Sequence, residues 1–283
     1  MPFSRRSFLA TAGSALAGGS SALFSAKAAR LRIGITDWNL QQTSKLEAVA
    51  LAKKLGFDGV QVSLGIKPVD GKLWLDNGAL QARYLAAAAT HQIPIDGTCL
   101  DILHVNYLKN DRLGQKWVAD SIRITQNMKT RVILLPFFGK GALETRQEMD
   151  YVGDALKELG PEAEKAGVIL GIEDTISAED NIRIVDRSQS KAVLVYYDVG
   201  NSTQGGFDVL KEIRWLGKNR ICQIHLKDNP HYLGEGKIDF PAVMQAIAEI
   251  GYTGYANLET DAPSKSVTED LSRNLQYVRK LMT

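Results

Sequence analysis

The chain has 283 residues, of which 45% are hydrophobic and 23% are charged, and its formal net charge is +2 at pH 7. This length suits one large α/β domain or two small ones, and the composition excludes an intrinsically disordered chain. A charge so close to zero argues against the basic surface that binds a phosphate backbone, so we expect no nucleic-acid partner.

The first 28 residues have the features of an export signal. Arg5 and Arg6 stand side by side in SRRSFL, a weakly apolar region rich in Ala, Gly and Ser follows, and AKA at positions 26–28 fits a small-x-small cleavage pattern. The segment resembles a bacterial twin-arginine (Tat) signal that is cleaved after Ala28. This resemblance implies the Tat export machinery as a partner, a periplasmic or exported location and a mature domain over residues 29–283. The alternative is an uncleaved membrane anchor, although the Gly and Ser content is high for a spanning helix.

Eight short apolar runs then alternate with amphipathic stretches of helical period. The apolar runs predict strands at Arg32–Thr36, Gly59–Ser63, Ile93–Thr98, Arg131–Pro136, Val168–Glu173, Ala192–Asp198, Ile221–Lys227 and Gly254–Thr260. The amphipathic stretches predict helices at Ser44–Leu55, Gly78–His91, Asp111–Met128, Glu144–Ala166, Phe207–Lys218, Asp239–Ile250 and Val267–Met282. Gly56 and Gly167 predict helix C-termini, Ser44 with Glu47 predicts a capping box, and Pro161 predicts a break within its helix.

Strand-helix units repeated over roughly 250 residues predict a single (β/α)8 TIM barrel. The alternative is a doubly wound sheet, which usually carries a glycine fingerprint after its first strand. The first turn here reads ITDWNLQQTS and has no such glycines. No linker or low-complexity segment follows Arg30, so we expect no domain boundary. Cys99 and Cys222 fall in predicted strands, where buried free thiols are favoured over a disulfide.

Four residues with metal-binding side chains fall at or near the C-terminal ends of successive predicted strands, about one strand-helix unit apart: Glu173, Asp198, His225 and Glu259. Active sites of parallel barrels lie at this end of the strands. A single carboxylate at a strand end often only caps the next helix. The joint pattern instead predicts a metal centre, and ligands rich in oxygen with one nitrogen favour Mn²⁺, Mg²⁺ or Co²⁺ over a thiolate-type zinc site.

Five motifs carry a family resemblance that extends from about Leu31 to the C-terminus: LGIED, YYDVGN, QIHLKD, GEGKIDF and GYTGYANLET. They resemble the xylose isomerase-like barrel superfamily, in the branch of sugar phosphate isomerases and epimerases that includes the ketose 3-epimerases and hydroxypyruvate isomerase. The resemblance implies that the four strand-end residues bind one divalent cation, with Mn²⁺ first and Mg²⁺, Co²⁺ or Zn²⁺ as alternatives. It further implies that Glu173 and Glu259 are catalytic and exchange the substrate proton.

The function implied is that of a sugar isomerase or epimerase, which removes the proton next to a carbonyl through a metal-bound enediolate. The partner would be a small sugar or glycoside, and the resemblance leaves room for a homo-oligomer. Two alternatives remain: a lyase that acts on 3-keto-glycosides by β-elimination, and a non-catalytic sugar-binding barrel. The resemblance also reaches endonuclease IV, but that enzyme needs three zinc ions and more histidines than the four in this chain.

Three positions depart from the family pattern. Asn201 stands where many members have a substrate-contacting His, His231 stands where epimerases often have an Arg, and Gln61 stands where many members have a Glu. These replacements leave the predicted metal site intact and point to an unusual substrate. The candidate substrate-binding residues are Trp38, His104, Asn201, Lys227 and His231. For Trp38 the alternative is packing at the barrel rim, and for His104 it is a place in a surface loop.

Overall fold

The computed structural model describes residues 30–283, so the predicted export signal lies outside the described residues. Eight parallel strands close into a barrel in chain order, and the last strand pairs with the first. This is the predicted (β/α)8 TIM barrel, and its closure excludes the doubly wound sheet. The strands are β1 (Arg32–Thr36), β2 (Gly59–Ser63), β3 (Ile95–Cys99), β4 (Val132–Pro136), β5 (Ile169–Glu173), β6 (Val193–Asp198), β7 (Ile221–Leu226) and β8 (Tyr255–Leu258).

Helices connect successive strands and pack around the barrel. They are α1 (Glu47–Leu55), α2 (Gly78–His91), α3 (Arg112–Asn127), α4 (Arg146–Ala166), α5 (Ala178–Ser188), α6 (Val199–Gln204), α7 (Val209–Leu216), α8 (Phe240–Glu249) and α9 (Val267–Leu281). Short 3-10 turns lie at Asp101–His104 and Gly139–Gly141. Across residues 30–283, no helix combines the length and the hydropathy needed to cross a membrane.

Helices α5 and α6 are absent from the sequence prediction. Helix α5 is amphipathic, but its buried face includes Asn181 and Ser188 beside two isoleucines and an alanine, so its apolar content is low. The available signal was at its N-terminus, where the Ser177 hydroxyl accepts a hydrogen bond from the Asp180 N–H at 3.1 Å. Helix α6 is only six residues long, too short for a periodic pattern.

Two predicted helix features were wrong, and two were confirmed. Ser44 does not cap α1, because Leu46 occupies the N-cap position and the Ser44 hydroxyl donates to Ser63 Oγ at 3.2 Å instead. Helix α4 continues through Pro161, which is exposed, so water can bond the carbonyl that loses its N–H partner. Gly56 and Gly167 end α1 and α4 with φ of 91° and 68°, as predicted.

One hydrophobic cluster joins the strands to the surrounding helices, and a smaller one lies among Cys99, Val132, Leu134 and Tyr196. In the described part of the chain, Cys99 and Cys222 are both free thiols, as the sequence favoured. Cys99 is buried, whereas Cys222 is only partly buried.

The N-terminal end of the barrel interior holds a buried acid–amide pair, Asp96 and Asn257. Asn257 Nδ2 donates to Asp96 Oδ1 at 3.2 Å, while Asp96 Oδ2 and Asn257 Oδ1 receive no hydrogen bond from residues 30–283. Both of these oxygens point into the space beside Gly34, where a Cβ would lie 2.2 and 2.1 Å from them. Burial raises the pKa of Asp96 to about 7, although the hydrogen bond from Asn257 lowers it. A proton on Asp96 removes the repulsion between the two facing oxygens.

Candidate metal centre

Strand register brings the four predicted ligands to the C-terminal end of the barrel. Glu173 and Asp198 are the last residues of β5 and β6, His225 is the next-to-last residue of β7, and Glu259 directly follows β8. Asp198 and His225 are direct register partners on adjacent strands. One ligand atom from each of the four residues lies within 4.8 Å of the others, and we call this group the ligand cluster.

His225 stands at the centre of the ligand cluster with its side chain fully buried. Its Nδ1 lies 2.8 Å from Glu173 Oε1, 3.5 Å from Glu259 Oε2 and 3.8 Å from Asp198 Oδ2. Burial alone would lower the pKa of His225, but the neighbouring Glu173 and Glu259 carboxylates raise it to about 10. In the metal-free protein the ring is therefore an imidazolium, and its proton must leave before Nδ1 can bind a metal.

Lys227 supplies a second positive charge to the ligand cluster. Its ammonium donates to Glu259 Oε2 at 2.5 Å and lies 2.9 Å from Asp198 Oδ2, as an ion pair that lacks hydrogen-bond geometry. Burial tends to raise the pKa of Glu259, but the charges of His225 and Lys227 outweigh it and hold that pKa well below its ordinary value. Burial raises the pKa of Asp198 to about 7, even though Lys227 opposes the shift.

The residues of the ligand cluster fit a divalent cation. Asp198 Oδ1 accepts hydrogen bonds from the N–H groups of Gly200 and Asn201 at 2.6 and 2.9 Å, which caps α6 and fixes the carboxylate. Its Oδ2 is buried and accepts no hydrogen bond from the described residues. Three carboxylates and one imidazole that converge in this way form a donor set of the kind that binds hard or borderline divalent cations.

A cavity of about 360 Å³ lies over the ligand cluster and is lined by Glu173, Glu259 and four of the five predicted substrate-binding residues: Trp38, His104, Asn201 and Lys227. Trp38 does more than pack at the rim, because its indole Nε1 donates to Glu259 Oε1 at 3.1 Å. His104 is exposed and stacks on Phe138, with 6.3 Å between the ring centroids.

His231, the fifth predicted substrate-binding residue, lines a second cavity of about 370 Å³ rather than the first. Lys237 lies in the same cavity, and Lys227 contributes to both. His231 therefore belongs to the adjoining cavity and not to the walls above the ligand cluster.

Sequence reasoning missed several residues of the cavity and its floor. Asp101 lines the cavity two residues after β3, and Ser63 Oγ donates to its Oδ2 at 2.6 Å. Burial raises the pKa of Asp101. The strand-end rule that selected the ligands would also have selected Asp101, had β3 been predicted to end at Cys99. Tyr196, which lies under His225, gives no such signal because a tyrosine within a strand usually serves packing.

A family model described as xylose isomerase-like TIM barrel matches residues 49–281. The chain belongs to this family. The twin-arginine interpretation falls on residues that neither the family model nor the structure describes, so it stays a prediction.

Relatives within the xylose isomerase-like family include sugar epimerases. L-ribulose 3-epimerase of Mesorhizobium japonicum is 26% identical over 271 residues, which cover 88% of each chain. Inosose dehydratase of Geobacillus thermodenitrificans is 28% identical over 180 residues, which cover 51% of this chain and 58% of that one. A solved structure of L-ribulose 3-epimerase has a TM-score of 0.74 at 18% identity, over 89% of this chain and 94% of that one, which shows the shared fold. The sugar epimerases among these relatives agree with the prediction of an isomerase-type enzyme.

Proposed function

We propose that the protein is a divalent-metal-dependent sugar isomerase or epimerase that exchanges the proton next to a carbonyl. The observation that carries this proposal is the convergence of the four ligand atoms within 4.8 Å of one another at the floor of the 360 Å³ cavity. Mn²⁺ is our first choice of cation, with Mg²⁺, Co²⁺ and Zn²⁺ as alternatives. When bound, the cation would polarise the substrate carbonyl and stabilise the negative charge that develops on it.

The two glutamates move the proton in this proposal. Glu259 is ionised at neutral pH because its pKa is held low, so it can act as a base, and the Trp38 N–H fixes its orientation. Glu173 lines the same cavity and is the second proton carrier. Return of the proton to the opposite face of the carbon gives epimerisation, whereas its return to the former carbonyl carbon gives isomerisation.

We infer that the substrate is an unphosphorylated sugar or glycoside. Relatives act on both kinds of sugar by name, L-ribulose and L-ribulose 5-phosphate. Phosphate in TIM barrels is frequently bound by loops after the seventh and eighth strands. Here the Gly234 and Gly236 N–H groups after β7 donate to Asp228 Oδ2 at 3.2 and 3.0 Å, so a carboxylate of the chain itself occupies them. If a phosphate does bind, Lys237 and His231 in the adjoining cavity are its expected contacts.

The second candidate function is a lyase that acts on 3-keto-glycosides. The relation to inosose dehydratase favours it, because loss of water is a β-elimination that can begin with the same proton removal. The ligand cluster, which includes both glutamates, would serve this reaction unchanged. Release of the aglycone from 3-keto-glycosides, without interconversion of ketoses, would replace the first proposal by this one.

Deuterium uptake from heavy water is the test of the proposed function. Mn²⁺-loaded protein is incubated with free ketoses, ketose phosphates and 3-keto-glycosides, and incorporation next to the carbonyl is followed by NMR. We expect uptake into at least one unphosphorylated sugar, and a loss of about 10²-fold or more in Glu259→Gln. Undiminished exchange in that variant would refute the role of Glu259. Sugar binding without any deuterium uptake would favour a non-catalytic sugar-binding barrel.

We also propose that the folded protein is exported by the Tat machinery to the periplasm. Support comes from the twin arginine and the AKA sequence at positions 26–28. Replacement of Arg5 and Arg6 by Lys should retain the protein in the cytoplasm, as measured by cell fractionation. Normal export of the double-Lys variant would contradict the proposal.

A further inference from the structure

His225 has a hydrogen-bond partner on each ring nitrogen, although its side chain is fully buried. Nδ1 faces the carboxylates, and Nε2 faces the Tyr196 hydroxyl oxygen at 3.0 Å and Gln61 Oε1 at 3.4 Å. A neutral imidazole carries one proton, and the nitrogen that lacks it is the one that can bind a metal. Since water does not reach the ring, protein groups decide which nitrogen that is.

A series of buried hydrogen bonds decides whether His225 Nε2 donates or accepts a proton in its hydrogen bond. The series begins at a backbone carbonyl. The Thr98 carbonyl can only accept, and Gln61 Nε2 donates to it at 3.3 Å. The amide orientation of Gln61 is thereby fixed, and its Oε1 accepts from the Tyr196 hydroxyl at 3.0 Å. The opposite orientation of Gln61 would place two carbonyl oxygens against each other.

Once Tyr196 donates its only proton to Gln61, its oxygen can only accept from His225. Nε2 must then carry the ring proton of the neutral imidazole, and Nδ1 keeps a free lone pair that points at Glu173, Asp198 and Glu259. We propose that Gln61 and Tyr196 are positioning residues of the metal centre, which hold the His225 proton on Nε2 and make Nδ1 the ligand atom. This inference rests on the metal site of the proposed function.

The role proposed for Gln61 requires an amide rather than a carboxylate. A glutamate there could accept from Tyr196 but could not donate to the Thr98 carbonyl, and it would add a further carboxylate beneath the ligand cluster. The Gln61 amide therefore fixes which groups donate and which accept in this series of hydrogen bonds, and it adds no charge. Partners of this kind on a metal-bound imidazole typically change metal affinity by 10- to 100-fold.

The experiment compares Tyr196→Phe and Gln61→Met with the matched control Tyr197→Phe. Tyr197 is the next residue on β6, but its hydroxyl donates to Glu212 Oε2 at 2.9 Å, away from the ligand cluster. Mn²⁺ affinity is measured by calorimetry on each full chain, and circular dichroism establishes that each variant is folded. We expect roughly 10- to 100-fold weaker binding in Tyr196→Phe and Gln61→Met, and less than about 3-fold change in Tyr197→Phe.

Nitrogen NMR of His-labelled, Zn²⁺-loaded protein supplies a second measurement that does not depend on variants. We expect His225 to carry its proton on Nε2 and to bind the metal through Nδ1. Metal bound through Nε2, or Mn²⁺ affinity in Tyr196→Phe equal to that of the unaltered chain, would overturn the inference. Failure of the unaltered chain to bind either cation would instead refute the metal centre of the proposed function.

Discussion

The two ends of the barrel interior surround their buried carboxylates with different groups. At the C-terminal end, three carboxylates surround His225 and Lys227, and these positive groups keep Glu259 ionised. At the N-terminal end, Asp96 faces the neutral amide of Asn257, and burial raises its pKa to about 7. Burial disfavours the charged form in both places, and it raises the pKa of Asp198 in the ligand cluster to about 7 as well. Only at Glu259 do the opposite charges of His225 and Lys227 outweigh burial, so the proposed base keeps its charge while Asp96 at the other end is structural.

Asp198→Asn should have the largest effect, because it removes a ligand without changing the shape of the side chain. Asn Oδ1 can still accept from the Gly200 and Asn201 N–H groups, so we expect the fold to persist. Mn²⁺ binding should be lost, and deuterium exchange should fall by about 10³-fold, since several kcal/mol of charge stabilisation disappear. Calorimetry and the exchange assay measure both quantities. The same change at the other end, Asp96→Asn, is the control and should leave Mn²⁺ affinity unaltered; equal losses in both variants would contradict the comparison.

Lys227→Met tests whether the C-terminal end depends on compensating charge. Without Mn²⁺, the free energy of unfolding should fall by about 3–5 kcal/mol, because Asp198 and Glu259 lose their partner. Saturating Mn²⁺ should restore most of the loss, since the cation then supplies the charge. Urea denaturation with and without Mn²⁺ measures the difference. The control is Lys116→Met, which breaks an exposed ion pair with Asp120 and should cost less than about 1 kcal/mol in both conditions. If Mn²⁺ does not reduce the loss of stability in Lys227→Met, the C-terminal end does not depend on compensating charge.

Asp96→Asn should change how stability depends on pH. The pKa of Asp96 in the folded protein, about 7, lies above the ordinary aspartate value of 3.8, so the native state holds a proton that the unfolded chain has released. The free energy of unfolding therefore decreases as pH rises from about 4 to about 7, by up to roughly 1.4 kcal/mol per unit. Asn mimics the protonated acid opposite Asn257, so the variant should lack this contribution.

Urea denaturation of the metal-free protein at several pH values between 4.5 and 8 measures this difference. Asp37, whose pKa burial raises to about 8, titrates in both proteins and cancels in the comparison. The two curves should diverge as pH rises to 7, with the variant the more stable, and then run parallel. Curves that are parallel over the whole range would show that Asp96 is already ionised in the folded state.

His231→Ala should have the smallest effect on turnover of a monosaccharide. His231 is exposed and lines the adjoining cavity, so we expect kcat/KM to change by less than about 2-fold. His104→Ala, in the wall of the cavity over the ligand cluster, should raise KM more while leaving kcat unchanged. A 10-fold loss in His231→Ala would mean that the substrate extends into the second cavity.

The fold and the ligand cluster could be predicted from the sequence because both follow from strand periodicity. A ligand at the end of each of four successive strands must converge once the barrel closes, whatever the loops do. The walls of the cavity were harder to predict, since the paths of the loops decide that His231 lies outside the cavity and Asp101 inside it. The effect of Gln61 and Tyr196 on the position of the His225 proton depends on hydrogen bonds across non-adjacent strands. A single sequence carries no periodic signal for such bonds.

The hydrogen bond from Trp38 to Glu259 joins the first strand-helix unit to the last, across 221 positions of the chain. Asn39 Nδ2 makes a second link of the same span, to the Thr260 carbonyl at 2.9 Å. Contacts of such high sequence separation require a costly loop closure, so we expect the proposed catalytic glutamate to reach its place late in folding. Trp38 is one of four tryptophans, so its indole fluorescence reports ring closure in a variant that keeps Trp38 alone. In a ribosome-bound chain that ends before β8, Trp38 lacks its acceptor and the site is incomplete.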